Sequence, residues 1–164
     1  MSGADLGAAL DALVTEALRL RHDGKLPTAP AAPVAVLDAL LDVRARLDRL
    51  EELLTQALRV RAGAHEAAAL ATATAEDAWD SEISRLRNAK VRPGDEYSTA
   101  RERHAQANLG TLELRRAARQ AEDASRRCER AVEVIRVAHR GLDGVRGDLL
   151  AWLRATAFES NLDR

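Results

Sequence analysis

The chain has 164 residues, of which 31% are charged and 46% are nominally hydrophobic, whereas only 2% are aromatic. It carries 34 Ala, 24 Leu and 23 Arg but only 2 Lys. Val, Ile and aromatic residues are too sparse for a sheet protein, because strands are built largely from those residues. Ala, Leu, Arg and Glu are strong helix formers, so the composition predicts a single all-α domain of long helices or coiled coil.

The charges nearly cancel, with 25 basic and 26 acidic residues and a formal net charge of -1. Such a chain has no global positive field that would attract nucleic acid or anionic lipid. Its apolar runs are far shorter than the roughly 20 residues that cross a bilayer. No basic region precedes the first apolar residues, so we expect no signal peptide and a cytoplasmic location.

Residues 1–22 are expected to form an N-terminal amphipathic helix, running from about Asp5 to Arg21. Its apolar residues recur at alternating intervals of four and three, which places them on one stripe. Residues 23–33 contain three prolines. Because proline lacks a backbone donor and fixes φ, this Pro/Ala segment is predicted to be an extended linker. The stripe consists of Leu6, Leu10, Leu13, Ala17 and Leu20.

Residues 34–164 are predicted to form a long antiparallel helical hairpin. Its tip is expected near residues 91–95, because the Pro-Gly pair there is the strong turn signal of the second half of the chain. Folding at this tip sets the Leu-rich start of the first arm against the Leu-, Ile- and Val-rich end of the second. The short N-terminal helix would then cover the apolar end, forming a three-helix bundle at one end of the coiled coil.

The second arm has the most regular heptad pattern, running without a skip from about Ala100 to Thr156. With Ala107 at position a, position d is Gly or Ala in every heptad from Gly110 to Ala138. Small residues at one core position let two helices approach at the close end of the usual 8–10 Å range. We therefore expect close antiparallel packing along an Ala seam.

Three glycines, Gly141, Gly144 and Gly147, lie near the end of the second arm. Each costs about 1 kcal/mol relative to Ala inside a helix. Either the helix breaks between Gly141 and Gly147, or it continues and something packs closely there. Both alternatives stay open at this point.

The C-terminal segment DLLAWLRATAFESNLDR is the expected docking surface for a protein partner. It holds half of the aromatic residues of the chain. Aromatic anchors on an amphipathic helix are typical of helix-in-groove recognition. The alternative is that these side chains pack under the N-terminal helix. The candidate partner-binding residues are Leu149, Trp152, Leu153, Phe158 and Leu162.

A cluster of arginines in the second arm gives an alternative function. These residues take outward heptad positions, so they form a stripe that could bind duplex phosphates without sequence specificity. The simpler interpretation is a solvated coiled-coil face with local ion pairs, which we favour. The lack of aromatics also removes the stacking platforms that bind single strands. The arginine stripe consists of Arg115, Arg116, Arg119, Arg126 and Arg130.

No pattern in the sequence points to an enzyme, a metal site or a cofactor. A helical di-iron site needs Glu three residues before His, and none of the four histidines has it. Cys128 lies at a core position between small residues, where a cysteine behaves as a small hydrophobe. We therefore expect a non-enzymatic adaptor, regulator or assembly factor without cofactors. It would act on a protein partner, for which a second copy in a homodimer is one option.

The stretch RVAHRGLDGVRGDLLAWLRATAFESNLDR resembles the C-terminal segment of uncharacterised coiled-coil proteins encoded by actinobacteria and their mobile elements. The resemblance covers roughly the last 30 residues. It brings no activity, cofactor or site residue with it, and implies only a cytoplasmic actinobacterial setting. The points of similarity are Gly141, Leu142, Asp143, Gly144, Arg146, Asp148, Arg154 and the ending 158–164.

Overall fold

A computed structural model describes residues 3–22, 32–88 and 99–162, with side chains described for residues 5–22, 32–88 and 99–157. Within these ranges the chain forms four α-helices and no strand, so the predicted all-α class is confirmed. The helices are α1 (Gly3–His22), α2 (Pro33–Asn88), α3 (Ala100–Gly110) and α4 (Leu112–Leu162).

The bounds of the first two helices agree with the sequence pattern to within a few residues. Pro33 is the first residue of α2, a position that favours proline because the first helical N–H has no intrahelical partner. The predicted tip near residues 91–95 lies outside the described residues. The same holds for the predicted linker 23–33, except for its last two residues.

The start of α3 has a complete capping box. Thr99 Oγ1 accepts a 3.2 Å hydrogen bond from the backbone N of Glu102. The Glu102 carboxylate in turn accepts a 2.8 Å bond from the backbone N of Thr99. Two N–H groups that lack helical partners are thereby satisfied, which explains why the helix begins here.

The expectation of an unbroken helix through the second arm is wrong at Thr111, which separates α3 from α4. The Thr111 side chain is buried, and its Oγ1 donates a 2.8 Å hydrogen bond to the carbonyl of Ala107. Its backbone N donates to the same carbonyl at 3.1 Å. Thr111 departs from helical backbone geometry, with φ -108° and ψ 9°, whereas the bonds from its N to the Ala107 carbonyl and from Arg115 N to its own carbonyl are kept. Gly110 disfavours helix and the threonine hydroxyl shares the Ala107 acceptor, and both favour a local distortion here.

The glycine-rich end of the second arm is not a break. α4 runs from Leu112 to Leu162 and includes Gly141, Gly144 and Gly147 as helical residues. No heavy atom lies within 4 Å of where a Cβ would stand on Gly144 or Gly147. Of the two alternatives, the uninterrupted helix is confirmed, and no close contact explains those two glycines.

The described chain divides into two compact units, to which both α2 and α4 contribute. We call Met1–Val60 together with Cys128–Arg164 the terminal unit, and Arg61–Arg127 the central unit.

The terminal unit contains the large-side-chain core. Residues from α1, α2 and α4 form one buried cluster in which Leu50, Leu53 and Ile135 are fully inaccessible to solvent. Leu13 and Leu20 of α1 pack against this cluster while partly exposed. The buried members are Ala17, Val43, Leu47, Leu50, Leu53, Ala57, Val132, Ile135, Ala138 and Leu142.

The central unit has a much smaller core. Its only large buried aliphatic side chains among the described residues are Ile83 and Leu86, which cluster with Ala107. Trp79 packs against this cluster while half-buried. The rest of its buried surface comes from Ala, Thr and Ser side chains. Each of these removes less apolar area from water than Leu does, at about 25 cal/mol per Å². Leu-rich packing is therefore found in the terminal unit and Ala-rich packing in the central unit, which is the predicted contrast.

The predicted Ala seam needs a correction within the central unit. Gly110 and Ala117, placed at core position d from the sequence, are exposed. Thr111, Ala118 and Ser125, each one residue later in its heptad, are buried instead. Because the residues at both positions are small, the local sequence allows either stripe to be buried. Which stripe is buried therefore depends on the position of the helix that packs against it.

Candidate interaction surfaces

The predicted C-terminal docking surface is only partly exposed. Leu149 is half-buried and packs against the terminal core. Trp152 and Leu153 are half-buried, so each presents part of its side chain to solvent. Phe158 and Leu162 lie within α4, but their side chains are outside the described residues. Leu149, Trp152 and Leu153 are thus all half-buried, and Leu149 is the one of the three that packs against the terminal core.

A more open apolar surface lies elsewhere in the terminal unit. A cleft of about 840 Å³ is lined by leucines of α2 and by Leu150 of α4. Leu37 and Leu41 are 51% and 67% exposed, although both are large aliphatic residues. We call this the leucine cleft. Its lining is Leu37, Leu40, Leu41, Leu47 and Leu150, with Arg44, Asp48, Glu51, His139, Asp143 and Arg146.

Sequence reasoning missed the leucine cleft. Val34, Leu37 and Leu41 recur at intervals of three and four, which places them on one helical stripe. This spacing is the signal that could have identified the surface. The heptad stripe that predicts the core lies on the same helix, and it contains none of these three residues.

The rim of the leucine cleft carries both positively and negatively charged side chains. Arg146 pairs with Asp143 at 2.6 Å, and His139 Nε2 lies 3.6 Å from Glu51 Oε1. The remaining charges, Arg44 and Asp48, stand one helical turn apart on α2. Both are exposed, and neither forms an ion pair or hydrogen bond with another described residue. The rim therefore has one cation and one anion available to a binding partner.

The arginine stripe is exposed along its whole length, as its heptad positions predicted. Part of it is engaged locally. Arg116 pairs with Glu113 at 2.8 Å, and Arg126 lies 3.8 Å from Glu122. Arg115 donates a hydrogen bond to the side-chain oxygen of Asn108. These local partners agree with the interpretation as a solvated helix face.

Two members of the stripe also line a cleft of about 560 Å³ in the central unit. Arg115 and Arg119 share it with the carboxylates of Glu76, Asp80 and Glu122. Three carboxylates beside two guanidinium groups leave no positive excess in this cleft. A phosphate backbone at this position would meet repulsion as well as attraction.

Cys128 and the histidines give no catalytic arrangement. The Cys128 side chain is fully buried, and this burial raises the pKa of its thiol above the ordinary value. A thiol that resists ionisation is a poor nucleophile. His104 packs edge-on against Trp79, with ring centroids 5.3 Å apart. Arg85 donates a hydrogen bond to Glu82, and this bond lowers the pKa of Glu82.

No metal-binding cluster of three or more His, Cys, Asp or Glu side chains occurs in the part of the chain that the structure describes. In the same residues, no helix is both long enough and apolar enough to cross a membrane. Comparison with protein-family models, with curated proteins and with solved structures found no match to this chain. The resemblance of the C-terminal segment to actinobacterial coiled-coil proteins stays a prediction.

Proposed function

We propose that this chain is a cytoplasmic, non-enzymatic protein interaction module, working as an adaptor, regulator or assembly factor through its helical surfaces. The observation that carries the proposal is the leucine cleft. Leu37, Leu41 and Leu150 are 39–67% exposed there, side by side in an open groove. Contiguous exposed aliphatic surface rimmed by charge is typical of protein interaction sites.

The exposed parts of Trp152 and Leu153 extend the proposal to the C-terminal end of α4. Tryptophan is enriched among the residues that contribute most to binding energy in interfaces. Phe158 and Leu162 are four residues apart on α4 but follow Leu153 by five and nine residues, so helical spacing gives them a face of their own rather than the one that holds Trp152 and Leu153.

The proposal includes the expected architecture of a long antiparallel hairpin with a three-helix bundle at one end. Contacts inside each unit support it. In the terminal unit, Glu51 of α2 faces His139 of α4. In the central unit, Thr72 Oγ1 donates a 3.5 Å hydrogen bond to Glu122, and Trp79 contacts His104. Within the central unit the partner moves back along the chain, from Glu122 to His104, as the α2 residue advances from Thr72 to Trp79, which is the order that an antiparallel pair gives.

Affinity capture from the native cytoplasm tests the proposed function. Full-length protein is compared with the variants Leu37→Ser/Leu41→Ser and Trp152→Ala/Leu153→Ala. Leu70→Ser is the matched control, because Leu70 is 69% exposed but lies outside the leucine cleft. We expect the control to retain the captured partner and at least one double variant to lose it. Identical capture by all four proteins would contradict the proposal.

Duplex nucleic acid binding is the second candidate, because all five guanidinium groups of the arginine stripe are exposed. Salt-dependent binding by the wild type should be lost in the variant Arg115→Ala/Arg119→Ala/Arg126→Ala/Arg130→Ala. The control removes four exposed arginines elsewhere: Arg59, Arg87, Arg101 and Arg154. If the wild-type chain does not bind a duplex even at low salt, this candidate is excluded.

A further inference from the structure

α2 has two apolar faces within the terminal unit. One contains Val36, Val43 and Leu50 at seven-residue spacing, and all three are buried. The other begins with Val34, Leu37 and Leu41, which are 51–69% exposed. By helical periodicity the second face lies roughly 150° around the helix from the first. A helix with two apolar faces is typical of a bundle in which it contacts helices on both sides.

The first helix does not cover this second face. α1 reaches α2 through Arg46, which donates a 3.1 Å hydrogen bond to the Leu20 carbonyl, and through Arg49, which binds Glu16. By helical spacing these arginines lie on the flank of the buried stripe opposite to Leu37. α1 therefore occupies one side of α2, and the leucine cleft remains open on the other side.

Charge complementarity indicates what fills the cleft. Arg44 and Asp48 continue the exposed face at the same helical spacing, and neither has an electrostatic partner among the described residues. Their order along the helix, cation before anion, is the less favourable one for an ion pair within the same helix. An antiparallel copy of α2 would present its own Asp48 to Arg44 and its own Arg44 to Asp48.

We propose that the leucine cleft binds a second copy of this chain, with the two α2 helices antiparallel about a two-fold axis between Arg44 and Asp48. This inference rests on the proposed function and names a partner for it. A two-fold interface uses the same surface twice, so a surface holding one cation and one anion complements itself. Facing residue numbers about this axis sum to about 92, so Val34 comes near the partly buried Leu58 of the other copy, Leu37 near its Thr55 and Leu41 near its Glu51. The net charge of -1 adds little repulsion between copies.

The test uses purified full-length protein and its molar mass in solution, measured by light scattering after gel filtration over a range of concentrations. The wild type is expected to dimerise. Arg44→Asp places two acidic residues of each copy against two of the other, and Asp48→Arg does the same with basic residues. Each single variant should therefore dimerise at least tenfold more weakly. An equimolar mixture of the two should recover the dimer, because the opposite charges then meet.

Glu113→Arg is the control, because it reverses a charge in an exposed ion pair of the central unit. It should leave dimerisation unchanged, and circular dichroism should report the same helicity for every variant. A wild type that stays monomeric at all concentrations would overturn the inference, as would a dimer that neither charge reversal weakens. If a monomeric wild type still loses a captured partner on Leu37→Ser/Leu41→Ser, the proposed function stands and only the self-association fails.

Discussion

Arg49 of α2 donates a 2.8 Å hydrogen bond from Nε to Glu16 Oε1 of α1, joining two helices across 33 residues of sequence. Its Nη1 also binds Glu52 Oε2 at 2.7 Å within α2. The hydrogen bond that Arg49 donates to Glu16, and then the one to Glu52, raise the pKa of Arg49 above its ordinary value. The Arg49 guanidinium therefore links α1 to α2, and its bond to Glu52 within α2 fixes its orientation.

Glu16→Gln should loosen α1 on α2. The pair is partly exposed, so its effect is small and screened by salt. We expect a slightly lower thermal midpoint and faster hydrogen exchange of α1 amides at low ionic strength, and both differences should fade at 1 M salt. The control is Glu52→Gln, which removes the bond within α2 only. Equal exchange rates for α1 in the two variants would contradict the role given to Glu16.

Leu50→Ala should destabilise the protein by about 2–5 kcal/mol, because it removes a fully buried side chain and leaves a cavity. Leu70→Ala makes the same chemical change at a position that is 69% exposed. It should change stability by less than about 0.5 kcal/mol. Urea denaturation of both variants checks the difference. Similar midpoints would show that Leu50 is not in the core.

Ala118→Leu and Ala117→Leu distinguish the observed seam from the one expected from the heptad pattern. Ala118 is buried, so three added carbons should overpack the interface and cost about 1–3 kcal/mol. Ala117 is exposed, and its substitution should remain within about 0.5 kcal/mol of the wild type. If Ala117→Leu is the more destabilising change, the original seam is the correct one.

Gly144→Ala should raise the free energy of unfolding by about 0.5–1 kcal/mol. The residue lies inside α4, and a Cβ there would meet no heavy atom within 4 Å. Alanine has a higher helix propensity than glycine and restricts the conformations of the unfolded chain, and here it introduces no steric clash. Gly63→Ala in α2 has the same surroundings and should give a similar gain. A loss of stability at Gly144 would point to a contact that the isolated chain does not make.

Cys128 should respond to pH with a definite sign. Burial raises the pKa of the thiol in the folded state, so the folded chain keeps its proton where the unfolded chain loses it. This contribution to stability is fully present below the unfolded pKa of about 8.5 and is lost as pH rises through the folded pKa. Denaturant midpoints of the wild type should therefore fall more steeply above about pH 8.5 than those of Cys128→Ala.

A thiol reagent provides an independent check on Cys128. At neutral pH the native protein should react slowly, and full denaturation should release normal reactivity, because the side chain has no exposed surface. Fast labelling of the native protein would contradict the burial.

The local sequence pattern was sufficient to predict the helices but not every boundary between them. Heptad spacing and a proline at the helix start placed α1 and α2 to within a few residues. Thr111 was missed, because its effect depends on a hydroxyl that bonds to the Ala107 carbonyl rather than on periodicity. For the candidate sites, spacing correctly placed the arginine stripe on the surface. It could not show that Leu149 packs against the terminal core.

The scarcity of aromatics and the abundance of Ala, Leu and Arg determined the helical class, because helix propensity and periodicity are properties of neighbouring residues. Only the tertiary structure decided which of two adjacent small residues faces inward, as at Ala117 and Ala118. It also decided which apolar face of α2 is covered, leaving Leu37 and Leu41 exposed. Both depend on where a second helix lies, and that position is set by contacts between residues far apart in the chain.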